Sequence, residues 1–158
     1  MNKISIRATV AAVAAGAVLA SGLAFASGSM HASTTKDLHD AMLGEAFAAL
    51  KYQAFADAAR ANGNTELALL FEATAKVERE EHFAEHLKLA GVVGSDRANL
   101  ADAIGGENYE TTDMYVQMAR RARAAGDATI AEHFAEVGKD EAGHRDAFKA
   151  ALAATPSK

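Results

Sequence analysis

Small and apolar residues recur every three or four positions along four long stretches of the chain, the period of an amphipathic helix. The first predicted helix, A, runs from about Thr35 to Ala61, with Met42, Ala49, Tyr52 and Ala56 on one stripe. Asn62-Gly63-Asn64 breaks it. Helix B runs from about Thr65 to Ala90, with Leu67, Phe71, Ala75 and Leu89 inward, and Gly91 ends it. A short helix is expected over 96–104 with Ser95 as its cap, stopped by Gly105-Gly106. Helix C then runs from about Glu107 to Ala125 and helix D from about Asp127 to Ala153, separated at Gly126. Tight A–B and C–D turns predict two antiparallel hairpins. The B–C link, about 16 residues long, would be able to run the length of a bundle. The expectation is an all-α four-helix bundle over residues 35–154 with one long B–C crossover, a linker at 27–34 and a frayed tail at 155–158.

An internal repeat supports two equivalent hairpins. Shifted by 63 positions, segment 59–78 overlays 122–141 without gaps, pairing Arg60 with Arg123, Gly63 with Gly126, Phe71 with Phe134 and Glu78 with Glu141. The same shift pairs Tyr52 with Tyr115. Such a repeat predicts a pseudo-two-fold bundle with equivalent groups meeting at its axis.

Glutamates interrupt the apolar stripes. Glu45 sits among Ala41, Met42, Ala48, Ala49 and Tyr52; Glu78 follows Phe71 and Ala75; Glu141 follows Phe134 and Val137. Buried carboxylates that converge repel one another and resist ionisation, and cations between them remove both penalties. Measured from the hairpin turns, Glu45, Glu78, Glu107, Glu110 and Glu141 fall within about two helical turns of one depth. Glu78-x-x-Glu81, Glu107-x-x-Glu110 and Glu141-x-x-His144 each place two donors on one helix face. Oxygen donors with imidazole, supplied by facing helices, suit paired iron or manganese. His82 lies about 100° beyond Glu81 on an ideal helix, so regular geometry favours Glu81 and a local π-bulge would favour His82.

Composition narrows the chemistry. The chain has no cysteine, which excludes thiolate zinc, iron–sulfur and disulfide sites within it. Its formal charge is −5, which offers no footprint for nucleic acid. Lys3 and Arg7 precede an apolar run ending in Ala24-Phe25-Ala26, the pattern of a secretory signal over residues 1–26, with a second cleavage position after Ala32. Export to the periplasm, cell envelope or exterior is therefore expected.

With Gly44-Glu45 and Tyr52, Glu78 followed by His82, Gly106-Glu107-x-x-Glu110 with Met114-Tyr115, and Glu141-x-x-His144, the chain resembles the rubrerythrin family in its ferritin-like di-iron domain, over about Leu38 to Ala150. The resemblance implies two irons held by Glu45, Glu78, Glu107, Glu110, Glu141 and His144, with Tyr52 and Tyr115 bonded to the ligands, and reduction of hydrogen peroxide. The second-helix slot where the family has histidine holds Glu81 here, which makes Glu81 an expected extra ligand. The rubredoxin-like domain of the family would need cysteines, so an external electron donor is implied. Manganese or a mixed pair suits the same donors. The alternative function is a ferroxidase-like protein that sequesters iron using dioxygen. A homodimer, with helices exchanged or not, fits either reading.

Overall fold

The computed structural model describes residues 30–156, and these are helical with no strand among them. The expected export segment over 1–26 lies outside the described residues. No helix among the described residues is long and apolar enough to cross a membrane.

Helix α1 spans Ala32–Ala61 and α2 spans Thr65–Val77; a π-turn over Glu78–Phe83 leads into α3, Ala84–Ala90. Helix α4 spans Asp96–Tyr109, a second π-turn spans Glu110–Met114, α5 spans Tyr115–Ala125 and α6 spans Ala128–Ala154. The π-turns do not interrupt the helical path, so the eight segments make four long helices. The first hairpin is α1 against α2, its π-turn and α3; the second is α6 against α4, its π-turn and α5.

The repeat is visible in the turns. Asn64 N–H donates to Ala59 O at 2.9 Å and Asp127 N–H to Ala122 O at 2.9 Å, each closing the helix before it. Gly63 and Gly126 adopt positive φ (74° and 90°), which a residue with a Cβ rarely takes. Asn64 also caps α2, its side chain accepting from Leu67 N–H.

One expectation is corrected. Gly105-Gly106 do not end a helix: the chain is helical without a break from Asp96 to Ala125. The long crossover is therefore absent, and only Gly91–Ser95 joins the hairpins. Two glycines cost about 1 kcal/mol each relative to alanine in a helix. Packing of α4 along α6 offsets this, with Leu100, Ala103, Ile104 and Glu107 half-buried at helical spacing. At the start of α4, half-buried Arg97 donates to Leu152 O (3.2 Å) and Thr155 O (2.6 Å), tying it to the end of α6.

The core is thin. The fully buried apolar residues are all alanines: Ala49, Ala56, Ala59, Ala68, Ala75, Ala119 and Ala131. Their small side chains let paired helices approach closely. Tyr52, Phe55 and Phe71 cluster in the first hairpin, with Phe55 and Phe71 edge to face at 5.3 Å. Tyr115 and Phe134 repeat the pair in the second at 6.2 Å. Among the described residues, no helix of one hairpin packs against a helix of the other. The four helices of one chain thus pair as two hairpins, without contacts between the hairpins among the described residues.

Candidate metal centre

Each hairpin gathers its own set of donors. In the first, Glu45 on α1 meets Glu78 and His82 on the π-turn; in the second, Glu107 on α4 meets Glu141 and His144 on α6. Within each set, one ligand atom per residue lies within 4.8 Å of the others. Both sets have the composition Glu–Glu–His. The 63-residue shift relates Glu78 to Glu141, but relates Glu81, not His82, to His144.

The π-turn explains that offset. A π-turn takes in one residue more than an α-turn, so the fourth residue after Glu78 stands where the third would stand in an α-helix. His82 Nδ1 lies 2.8 Å from Glu78 Oε2, and His144 Nδ1 lies 2.7 Å from Glu141 Oε2. Glu81 is exposed and falls outside both groups. The sequence placed the choice between Glu81 and His82 on helix regularity, and the structure gathers His82.

The glutamates are withdrawn from water without being sealed off. Glu78 and Glu141 side chains are 17% and 16% exposed, whereas His82 and His144 are about half exposed or more. Glu107 is half-buried, and its Oε2 is buried with no hydrogen-bond partner. Burial, then the neighbouring Glu141 charge, raises the Glu107 pKa above the ordinary carboxylate range. The hydrogen bond to Glu141 raises that of His144. Converging carboxylates raise one another's pKa in this way, and a cation placed between them would relieve the repulsion.

Glu110 begins the second π-turn, half-buried and outside the three-residue group. Its charge nonetheless acts on Glu107 and on Tyr115. The Tyr115 pKa is raised by burial first and then by Glu110, Glu141 and Glu107, so its phenol stays protonated beside the carboxylates. Tyr115 fits there because Gly138 faces it: a Cβ on Gly138 would lie 3.2 Å from Tyr115 Cβ. Tyr52 sits differently, packed between Phe55 and Phe71 as part of the aromatic cluster. Within the second π-turn the Thr111 and Thr112 hydroxyls donate to the carbonyls of Glu107 and Asn108, four residues back, a competition that loosens regular α-helix.

The donor set fits the group expected from it. Carboxylate oxygens and imidazole nitrogens, without thiolate, are the ligands of iron and manganese. A glutamate from each of two helices and a Glu–His pair from each of the other two is the composition of two-metal carboxylate centres in helical bundles. The orphaned Glu107 oxygen is a ready acceptor for a cation.

Comparison with known proteins agrees. The rubrerythrin family model matches residues 36–152. A rubrerythrin of Porphyromonas gingivalis is 36% identical over 132 residues, covering 76% of this chain and 66% of the relative. A nigerythrin of Nitratidesulfovibrio vulgaris is 34% identical, covering 75% and 65%, and a rubrerythrin of the same organism is 33% identical, covering 73% and 66%. The chain thus spans about two thirds, or slightly less, of the length of these curated relatives. The family that matches binds a di-iron centre, and the two Glu–Glu–His groups are the residues here able to hold it.

Proposed function

Because this chain belongs to the rubrerythrin family, we propose that it is a di-iron protein that reduces hydrogen peroxide with electrons from an external donor. The observation that carries this reading is the pair of matched Glu–Glu–His groups, one per hairpin. Glu45, Glu78 and His82 would hold one ion, and Glu107, Glu141 and His144 the other, with Glu110 beside the second. Manganese or a mixed pair suits the same donors.

Two bound ferrous ions would supply the two electrons and the Lewis acidity that cleavage of an O–O bond requires. Reduction of one peroxide to two waters also consumes two protons. The Tyr115 phenol, kept protonated by burial and by the surrounding carboxylates, is a hydrogen-bond donor at the edge of the second group, and the protons themselves come from solvent. The partial exposure of His82 and His144 leaves a path for a small substrate. The absence of cysteine from residues 1–158 supports delivery of the electrons by a separate redox protein or small reductant. The basic start and apolar run of residues 1–26 support export.

Anaerobic loading with Fe(II) followed by rapid mixing tests the proposal. One peroxide per iron pair should oxidise the protein, faster than dioxygen does. Oxidation of many Fe(II) per chain by dioxygen, with slow response to peroxide, would establish the ferroxidase reading instead.

A further inference from the structure

Helices α5 and α6 enclose a groove of about 520 Å³ on the second hairpin, floored by the small residues Ala119, Gly138 and Ala142 and rimmed by Arg120, Arg123 and Lys139. We propose that it binds a planar aromatic anion, a phosphate-bearing redox carrier of the reduced-flavin kind, and that electrons enter the chain there. Electron entry rests on the two-metal reading above, whereas the binding site stands apart from it.

The repeat shows how the groove arises. The 63-residue shift relates Arg123 to Arg60, Ala135 to Glu72 and Arg120 to Asp57. In the first hairpin Arg60 and Glu72 bond to each other across α1 and α2, and the Asp57 charge also acts on Arg60. In the second hairpin the arginine is kept and both acids are gone: Ala135, which lines the groove, sends nothing across to Arg123, and Arg120 adds a second guanidinium. Arg120 donates to Gln117 Oε1 at 2.8 Å, and Lys139 is paired with Glu136 at 2.6 Å. Two guanidinium groups without a carboxylate partner among the described residues thus border an apolar hollow, on a chain whose formal charge is −5. Guanidinium forks match pairs of phosphate oxygens, and these two need break no ion pair to do so.

Size and place fix the ligand class. Small-molecule sites are hollows of this volume, mostly apolar with a few polar groups at the edge. From Thr111 to Arg123 the groove follows its helix for about 18 Å, which suits a flat ring system carrying a phosphate on a short tail. The phosphate belongs at the Arg120–Arg123 end. The rings then lie at the other end, against Thr111 and the Tyr115 side chain. That end backs onto the second metal group: the Thr111 hydroxyl donates to the Glu107 carbonyl at 2.7 Å, and Ala142 is next to Glu141 in sequence. None of the Glu–Glu–His donors lines the groove, since successive residues point about 100° apart around a helix. A ligand seated there passes electrons through the wall of the groove and displaces no metal donor. The dihydroflavin gives up two electrons and two protons and becomes the oxidised flavin; one electron goes to each ferric ion, and the protons go to solvent.

Flavin mononucleotide (FMN) is the probe, and its fluorescence during titration with metal-free protein reads binding without iron. Wild type should bind FMN saturably, and riboflavin, which lacks the phosphate, about tenfold more weakly. Arg120→Ala/Arg123→Ala should weaken FMN binding about tenfold and leave riboflavin binding unchanged. Ala135→Glu, which restores the acid of the first hairpin opposite Arg123, should weaken FMN binding as well. Iron-loaded ferric protein is then mixed anaerobically with subsaturating dihydro-FMN and followed by absorption. Wild type should be reduced about tenfold faster than the double arginine variant, in proportion to occupancy, while dithionite reduces both equally. No saturable FMN binding, or binding indifferent to the phosphate and to the arginines, would overturn the site. Arginine-dependent binding of an acidic electron-carrier protein in place of FMN would overturn it too. FMN binding that follows the arginines with no difference in reduction rate would overturn electron entry. A chain that binds FMN yet takes up no iron would remove the two-metal reading and electron entry with it, and the binding site would stand.

Discussion

Glu78 and His82 are four residues apart yet pair at 2.8 Å in the same way that Glu141 and His144 pair across three, because a π-turn runs beneath the first pair and an α-helix beneath the second. The two hairpins thus reach one donor composition through different helical registers. The register decides which side chain of Glu81 and His82 faces Glu45.

Substitution separates these two neighbours. His82→Ala should lower bound iron from two ions per chain toward one, since it removes the only imidazole in the first group. Glu81→Ala should leave the stoichiometry unchanged, because Glu81 is exposed and outside that group. Metal analysis of the two variants after identical loading checks this.

Metal-free protein should lose stability as pH rises above the ordinary carboxylate range and on through the histidine range, because Glu107 and His144 both titrate above their ordinary values. The raised Glu107 pKa means the folded chain keeps a proton that the unfolded chain releases in the ordinary carboxylate range, so stability falls as pH climbs through the raised value. The His144 contribution is whole below about 6.5 and fades as pH rises through its raised folded value. Asp40, Glu80 and Asp146, lowered mainly by Lys36, Arg79 and Arg145, act in the opposite sense, and their contributions are lost only below the ordinary carboxylate range. Bound metal displaces the protons on Glu107 and His144, so the stabilisation by Mn(II) or anaerobic Fe(II) should grow over the same interval. Thermal melts at several pH values, with and without metal, read both slopes.

Gly138→Ala sets an overpacking cost of about 1–3 kcal/mol against the roughly 1 kcal/mol that alanine gains over glycine inside a helix, so the second hairpin should lose up to about 2 kcal/mol. The added methyl would press on Tyr115, whose Cβ lies 3.2 Å from its position. The equivalent residue in the first hairpin is already an alanine, Ala75, buried without penalty, so the effect should be confined to one half of the repeat. Denaturant unfolding of the variant gives the magnitude.

Arg97→Ala removes two hydrogen bonds that hold the start of α4 to the end of α6 and should cost about 1.5–3 kcal/mol. Amide exchange should quicken from Asp96 to Ile104 while the Glu107–Glu141–His144 group stays protected, because the bonds lie at the opposite end of α4. Residue-resolved hydrogen exchange distinguishes this local fraying from global loss.

Much of this was legible in the sequence, and the gaps have physical causes. The hairpin turns were readable because glycine at 63 and 126 meets a backbone demand that few other residues can meet. Glu45, Glu78, Glu107, Glu141 and His144 were readable because carboxylates on an apolar stripe need an explanation. Gly105-Gly106 misled, since a local break signal gave way to the packing of α4 on α6. His82 was legible only on condition of a π-turn, whose presence depends on how the helix settles against α1. The lack of packing between the hairpins was not legible, because periodicity shows which face of a helix is apolar but not what that face packs against.

Metal titration tests the central claim most directly. Mn(II) or anaerobic Fe(II) is added to the metal-free protein, and a parallel titration uses Glu45→Ala/Glu141→Ala. Uptake in the wild type should saturate at two ions per chain, with the double variant binding neither tightly. Saturation below two ions, or equal uptake by the variant, would contradict a two-metal centre built from these glutamates.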